Sequence, residues 1–340
     1  MSNDSTHNLI EGFAARNGSL QRIAPADTRG RGDPSIAGAA QGSLAVGDDG
    51  QSLFAVNAGS NEITSFRIGA NGAVSFADKV TSNGKQPVSL TVHHDLLYVV
   101  NAGSSQITGF KIAANGGLHP IPNSTQPLSG NQVGPAEISF DPNGNVLVVT
   151  EKETNKIDTY SVTNDVPSAP MAHQSAGTEP FGFAFAPHSQ IMVVSDGFNG
   201  APGDGAASSY DVTPDRAKLI SSIVPDQNTA PRWLVIAQDG RVAFTSNTGS
   251  DTISAYRVDP QGHLALTTGN GISAATGKGP TDLALAPDGG FLFNINQKAH
   301  TLGVYKVSPD GGLGRLKDAP QLPNAALGLA VLPMGAAPEQ

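Results

Sequence analysis

Short stretches of alternating apolar and polar residues recur along this chain, and polar turns separate them. The stretch LFAVNAGSNEITSFRI at 53–68 returns with little change as LYVVNAGSSQITGFKI at 97–112. Runs rich in Val, Ile, Phe and Tyr that are joined by Asp-Gly turns are typical of antiparallel hairpins. No segment keeps an apolar residue at every third or fourth position for long, so the pattern predicts essentially no helix.

The pattern repeats as a whole unit of four predicted strands. In each unit the third strand ends in an aromatic residue and a Val or Ile, as in ITGFKI and ISAYRV. A period of about 45 residues is typical of a β-propeller blade, whereas the repeats of a linear β-solenoid are shorter and lack Asp-Gly hairpins. Six predicted blades span approximately 41–85, 86–133, 134–178, 179–229, 230–278 and 279–323.

The two ends of the chain predict a seventh blade. ALGLAVLP near the C-terminus resembles a lone first strand, whereas MSND, NLIEGFAA and SLQRIAPA resemble a second, third and fourth strand. A blade built from 324–333 and 1–27 closes the ring by pairing the terminal strands, which removes the last open sheet edge. The sequence therefore predicts an all-β, seven-bladed β-propeller of four-stranded antiparallel blades, in one domain over 1–340. The second strand of that blade starts abruptly at Met1, which leaves open whether the natural chain extends before it.

Composition and charge narrow the class of function. A net charge of −9 argues against a nucleic-acid-binding surface and against binding to an anionic membrane. The chain has no cysteine, so disulfides, thiolate nucleophiles and Cys-ligated metals are excluded. No apolar run approaches the roughly 18 residues of a membrane-spanning helix, and the polar start lacks a signal-peptide core. We expect a soluble monomer, either cytoplasmic or exported with a targeting segment absent from this chain.

The repeated motifs resemble those of the seven-bladed lactonase propellers. The resemblance covers the whole chain and is carried by PNGNVLVVTEK at 142–152, QDGRVAFTSNTGSDTISAYRV at 238–258 and PDG…LFNINQ at 287–297. This family includes the non-metal 6-phosphogluconolactonases, carboxymuconate-lactonizing enzymes and proteins with YVTN-type repeats. The resemblance implies a small-molecule lactone, or an anionic sugar or organic acid, as substrate, with no cofactor.

Matched to the family's motifs, the chain keeps some functional positions and changes others. Glu151 falls on the family's Glu, and the resemblance implies that it is the catalytic base. Ala136 and Glu137 stand in place of a basic pair, and Thr248 and Ser250 stand in place of an Arg and a His. The retained positions are Asn296 and Gln297 after one second strand, and Pro231, Arg232 and Trp233 at the start of one first strand.

In a propeller, the connector into strand one and the loop after strand two lie on the same face, where loops on a rigid scaffold form binding sites. We expect Glu151 to activate water there while Arg232 stabilises the developing oxyanion. Trp233 would stack on a substrate ring, and Gln297 would position the substrate. The remaining predicted rim residues are Gln41, Glu137, Lys152, Asp196, Asp282, Asn296 and Lys298. Arg31 of the R-G-D segment, or Arg29 just before it, would reach over the rim to an anionic substrate.

Alternatives remain at this point. Glu137, Glu151, Asp196 and Asp282 would form a calcium cage if they converged in the channel. His7 and His300 lie in loops on the candidate face, whereas His93, His94 and His188 fall in turns at the opposite end. The Gly-rich stretch 196–209 would serve as a lid. The leading hypothesis is a cofactor-free, lactonase-like enzyme; the alternative is a non-catalytic propeller that binds a small ligand or a protein through the same face.

Overall fold

The computed structural model describes residues 1–16, 18–69 and 72–332. Within these ranges the secondary structure consists of β-strands and four three-residue 3₁₀ helices, Pro34–Ile36, Ala102–Ser104, Phe198–Gly200 and Gln297–Ala299. The described residues contain no helix that could cross a membrane. The all-β prediction is therefore confirmed, and the predicted limits at 333 and 340 lie outside the described residues.

Six antiparallel sheets follow one another along the chain, and we number them as blades 1 to 6. Blade 1 contains β3 (Leu44–Val46), β4 (Ser52–Asn57), β5 (Glu62–Ile68) and β6 (Val74–Thr81). Blade 2 contains β7 (Pro87–His93), β8 (Leu96–Asn101), β9 (Gln106–Ile112), β10 (Leu118–Pro120) and β11 (Gln126–Pro127). Blade 3 contains β12 (Pro135–Phe140), β13 (Val146–Glu151), β14 (Lys156–Thr163), β15 (Val166–Pro167) and β16 (Met171–Gln174).

The second half of the chain repeats the arrangement. Blade 4 contains β17 (Pro180–Phe185), β18 (Ile191–Asp196), β19 (Ala206–Thr213) and β20 (Arg216–Pro225). Blade 5 contains β21 (Pro231–Ile236), β22 (Val242–Asn247), β23 (Thr252–Val258), β24 (Leu264–Leu266) and β25 (Ala274–Ala275). Blade 6 contains β26 (Pro280–Leu285), β27 (Phe291–Asn296), β28 (Thr301–Val307), β29 (Leu313–Arg315) and β30 (Ala319–Pro320).

The position of each strand within its blade explains its pattern of apolar and polar residues. Every residue of β4, β8, β13 and β22 is buried, because a second strand is covered on both faces by neighbouring blades. The outermost strand of blade 4, β20, is mostly exposed or half-buried. First strands of successive blades contact each other around the centre. Continuous apolar second strands and polar outer strands are therefore the sequence pattern that blades in a ring require.

Five first strands begin at a proline, and the residue before it has a positive φ. Proline suits the first position of a strand because it has no N–H to donate to the neighbouring strand. The preceding φ is +62° at Gly134 and +63° at Gly279, but the same region is occupied by side-chain-bearing residues in the other three blades, with +54° at Glu179. Non-glycine residues rarely adopt this conformation, so the surrounding structure must hold the backbone of Gln86, Glu179 and Ala230 in it.

The N-terminus and the segment around Leu327 lie together between blades 6 and 1. The strands β1 (Leu9–Arg16) and β2 (Ser19–Asp27) form a two-stranded sheet. The N-terminal ammonium of Met1 donates to the Leu327 oxygen at 2.8 Å, and the Leu327 N–H donates to the Met1 oxygen at 3.1 Å. Ile10 packs in the apolar cluster of blade 1, whereas Phe13 packs against that of blade 6.

Candidate functional site

The two ends of the blades carry different loops. Each first strand begins where the second strand ends, as the pairs Pro135–Glu151, Pro180–Asp196 and Pro280–Asn296 show. The connectors between blades and the loops after second strands therefore meet at one end, which we call the entry face. The turns that join strand one to strand two lie at the other end, which we call the turn face. His94 and His188 lie in those turns and are exposed.

A segment that sequence reasoning treated as a connector crosses the entry face. The backbone N–H of Gln41 donates to the Ala136 oxygen of blade 3 at 2.9 Å. Its side-chain amide bonds both the N–H and the oxygen of Leu234 in blade 5, each at 2.8 Å. The Trp233 indole N–H donates to the Ala40 oxygen at 3.2 Å, and Ala40 is fully buried. We call residues 36–42 the channel plug, because they connect blades 3 and 5 across the entry end of the channel.

The sequence carries a signal for this plug. The run IAGAAQG at 36–42 consists of small or apolar residues apart from one glutamine, unlike the charged stretch before it. Small residues are needed at Gly42, where φ is +79° and an added Cβ would lie 2.8 Å from the Ser89 hydroxyl. At Gly38, with φ +82°, an added Cβ would lie 3.8 Å from the Trp233 ring.

An ion pair lies beside the plug on the entry face. The Arg232 guanidinium donates to Glu179 Oε1 at 3.0 Å and to the Gly38 oxygen of the plug at 3.4 Å. The Lys152 ammonium donates to the Ala39 oxygen, also in the plug. Arg232 and Lys152 approach the face of one ring, Phe181, at 5.3 and 5.0 Å from its centroid. We call Glu179, Arg232, Lys152 and Phe181 the rim cluster.

The rim cluster combines burial with two positive charges. Burial, reinforced by the charge of Arg232, lowers the pKa of Lys152 to about 8. Glu179 is buried and sits at a φ of +54°, where two other blades carry glycine. Sequence reasoning missed Glu179 as a site residue. The signal was available, because a glutamate stands there in a turn position that favours glycine.

Three polar atoms beside the plug are buried without a hydrogen-bond partner among the described residues. They are Glu179 Oε2, Arg232 Nε and Gln297 Nε2. Gln297 also lies near the plug, since its Oε1 is 3.9 Å from the position of a Cβ added to Gly38. Buried polar atoms normally have a partner, so a carboxylate oxygen and two N–H donors without one make this region a candidate polar site.

Glu151, the predicted base, occupies a different environment. Its side chain is fully buried, and Oε1 accepts from the Ser129 N–H at 3.0 Å while Oε2 accepts from the Ser129 hydroxyl at 2.6 Å and from the Thr154 hydroxyl. Asp158 Oδ2 accepts from the same Ser129 N–H at 2.8 Å. Burial, together with the adjacent Glu151, raises the pKa of Asp158 to about 8. We call Glu151 and Asp158 the anchor pair.

The anchor pair ties blade 3 to the connector that leaves blade 2. Within the described ranges no hydrogen bond or ion pair joins Glu151 to Arg232, whose carboxylate partner is Glu179. The role of Glu151 as a base stays a prediction, but its oxygens are engaged by donors of the protein itself.

The polar residues that end other second strands also hydrogen-bond to neighbouring strands or connectors. The Asn247 amide donates to the Ser254 hydroxyl at 2.7 Å, and the Asn101 amide donates to the Ser82 oxygen at 3.4 Å. Asn296 Oδ1 accepts from the Gly277 N–H at 3.1 Å. Asp196 is fully buried, and burial raises its pKa to about 7. Asn296 and Asp196, both predicted to bind substrate, therefore lie at blade-anchoring positions.

Glu137 and Asp282 line the central channel rather than the rim. Glu137 Oε2 accepts from the Phe183 N–H at 2.7 Å, and Asp282 Oδ2 accepts from the Gly328 N–H at 3.1 Å. Burial raises the pKa of Glu137 well above its usual range and that of Asp282 to about 7. Among the described residues no three His, Asp or Glu side chains are grouped closely enough to hold a metal ion, so the calcium alternative finds no cage there.

Trp233 and Arg31 complete the predicted set. Trp233 is fully buried beneath the plug, with its ring centroid 5.1 Å from that of Phe181. Arg31 is exposed, and its backbone is fixed to the loop after β4 through Gly59 and Ser60. The predicted lid at 196–209 is bonded to the next connector, where the Gly205 N–H donates to the Asn228 oxygen at 2.9 Å.

The chain is similar to known propellers in sequence and in fold. Residues 7–127 and 208–329 match the family model described as "Lactonase, 7-bladed beta-propeller". No curated protein matches the chain.

Solved structures share the fold at low identity. A putative 6-phosphogluconolactonase from Bacteroides fragilis is 16% identical, with a TM-score of 0.71 over 95% of this chain and 98% of that one. The periplasmic gluconolactonase of Pseudomonas aeruginosa is 19% identical, with a TM-score of 0.72 over 93% and 97%. A protein from Lactobacillus plantarum is 21% identical, with a TM-score of 0.72 over 90% and 89%.

Proposed function

Because the chain belongs to the lactonase family of seven-bladed β-propellers, we propose that it hydrolyses a small-molecule lactone, or closes one in reverse, at the rim cluster. The observation that supports this site is the free Glu179 Oε2 next to the Arg232 guanidinium, with Lys152 beside them. A buried carboxylate with one unpartnered oxygen is suited to accept a proton, and two cations are suited to stabilise an oxyanion.

The plug indicates where the substrate carbonyl would lie. Arg232 and Lys152 each donate to a plug carbonyl, that of Gly38 and that of Ala39. In the proposed reaction the lactone carbonyl oxygen takes the place of one of these, and Glu179 accepts a proton from the attacking water. The ring C–O bond then breaks, the ring oxygen takes up a proton, and a hydroxy acid is released. Lys152, with a pKa of about 8, is mostly protonated at neutral pH and so favours an anionic substrate or product.

The ring closure belongs to the same proposal. We infer that Met1 to Asn3 and residues 326–330 complete a seventh blade with β1 and β2. The reciprocal hydrogen bonds between Met1 and Leu327 and the contact of the Ser2 N–H with the Leu9 oxygen at 2.7 Å support this arrangement. A closed ring would hold blades 3 to 5 at fixed spacing, and the rim cluster draws its residues from these three blades.

The test is a pH-stat assay over a panel of five- and six-membered lactones, with and without a carboxylate or phosphate group. Glu179→Gln should lose hydrolysis, whereas the matched control Glu153→Gln, an exposed glutamate of blade 3 on the entry face, should keep it. Equal rates for the native protein and Glu179→Gln would contradict the proposed base.

One observation favours a second candidate, a propeller that binds a ligand or a protein without catalysis. Plug carbonyls accept hydrogen bonds from Arg232 and Lys152, and a plugged rim is the arrangement expected of a binding surface. In that case the native protein would hydrolyse no lactone in the panel, but the hydroxy acid products would still bind, and Arg232→Gln would weaken that binding.

A further inference from the structure

A second cavity, of about 400 Å³, opens at the turn face. Its walls come from the later residues of the first strands of blades 3 to 6, which approach the turn end of each blade. Gln41 of the plug and Leu234 form its inner end, so the plug separates this cavity from the rim cluster. Most of the lining residues are apolar, including Phe140, Phe183, Phe185, Ile236 and Leu285, but polar atoms form about half of the lining surface.

One carboxyl group faces this cavity. Glu137 is 7% exposed and lies among the lining residues. Its Oε2 accepts one backbone N–H, from Phe183. The Gln41 side chain also hydrogen-bonds to this carboxyl group, and the lining residues include no Lys, Arg or His. Among the described residues the titratable group that acts on Glu137 through its charge is Asp282, another buried acid.

Glu137 has no basic partner in the cavity, and Asp282, the acid that acts on it, lies outside the lining residues and is itself acted on by the Met1 ammonium. A buried carboxylate is stabilised by an opposite charge placed beside it, and a ligand can supply that charge where the protein does not. Three phenylalanine rings in the walls add faces that attract cations and cover an apolar body. A neutral apolar ligand would use the rings but would leave the carboxyl group without a counter-charge.

We propose that the turn-face cavity binds a small organic cation, a primary ammonium group on an aromatic or other apolar body, with Glu137 as its counter-ion. The site is independent of lactone hydrolysis, since it lies on the other side of the plug and shares no residue with the rim cluster. Burial raises the pKa of Glu137, which favours the protonated carboxyl group in the empty cavity. When the ammonium binds, that proton passes to bulk water and the carboxylate pairs with the cation.

Calorimetry at pH 7 with benzylamine and its uncharged analogue benzyl alcohol tests the proposal. We expect benzylamine to bind the native protein at least tenfold more tightly than benzyl alcohol. Glu137→Gln should remove this preference, because the amide keeps an acceptor for the Phe183 N–H but carries no charge. Asp288→Asn, which removes one charge from an exposed turn on the same face, should keep the preference.

A second measurement needs no variant. Titrations in buffers of different ionisation enthalpy should show close to one proton released for each benzylamine bound. Equal affinities for benzylamine and benzyl alcohol, or binding without proton release, would overturn the proposal even if Glu137→Gln failed to fold. Glu179→Gln should bind benzylamine like the native protein. The benzylamine test therefore does not depend on the outcome of the lactonase assay.

Discussion

The rim cluster and the anchor pair each place a buried glutamate near the entry face, yet the two sites are built in opposite ways. Glu151 of the anchor pair uses both oxygens on donors from Ser129 and Thr154, and a second acid lies beside it. Glu179 of the rim cluster has a cation beside it and keeps one oxygen free. Burial and a free oxygen alone do not distinguish the two sites, because Asp158 Oδ1 of the anchor pair is also unpartnered; the ion pair of Glu179 with Arg232 does.

The largest expected effect separates the two glutamates by activity. Glu179→Gln should lower kcat by a factor of about 100 to 10,000, the usual contribution of a general base, while its thermal midpoint changes little. Glu151→Gln should retain most of the activity. Steady-state kinetics on the best lactone of the panel checks both variants. A Glu151→Gln protein that is folded but inactive would reverse the assignment.

The next effect separates them by stability. Glu151→Ala should destabilise the fold by about 1 to 3 kcal/mol, because the Ser129 and Thr154 donors lose a buried acceptor. Urea unfolding measures this difference, with Glu153→Ala as the control for an exposed glutamate. If the two alanine variants unfold at the same urea concentration, the anchor pair contributes nothing to stability.

The anchor pair should also make stability depend on pH. Burial and Glu151 raise the pKa of Asp158 from 3.8 to about 8, so the folded protein holds a proton that the unfolded chain releases. The stabilising contribution of that proton is complete below about pH 4 and is lost as the pH rises through about 8. Urea unfolding from pH 5 to pH 9 should therefore show falling stability, and Asp158→Asn should flatten the slope. The raised pKa values of Asp196 and Asp282 act in the same direction, so Asp158→Asn should reduce the slope of stability against pH without abolishing it.

The smallest effect concerns the plug. Gln41→Ala removes two hydrogen bonds to Leu234 that hold the plug against blade 5. If the substrate carbonyl displaces a plug carbonyl, this change should lower KM several-fold with little change in kcat. A KM that rises instead would show that the plug forms part of the substrate site rather than competing with the substrate.

The sequence by itself determined the repeat and therefore the fold class. Alternating strands, Asp-Gly turns and largely apolar second strands such as LLYVVN follow from local backbone geometry and from burial between blades, and both are visible in consecutive residues. The same reasoning identified the entry face, because the offset between strand starts and ends follows from the repeat. It also selected Arg232, Lys152 and Gln297, which the structure brings close to the plug.

Only the tertiary structure decided which acid faces a cation and which is enclosed. Glu179 and Arg232 are 53 residues apart, and the plug bonds Leu234 across a separation of 193 residues. A repeat gives every blade equivalent positions. It therefore does not predict how one connector crosses the channel or which hydrogen-bond donors that connector satisfies. Hydrogen-bond satisfaction is a property of neighbours in space, and these neighbours come from different blades. For that reason the sequence indicated the face, and the arrangement of the plug indicated the site.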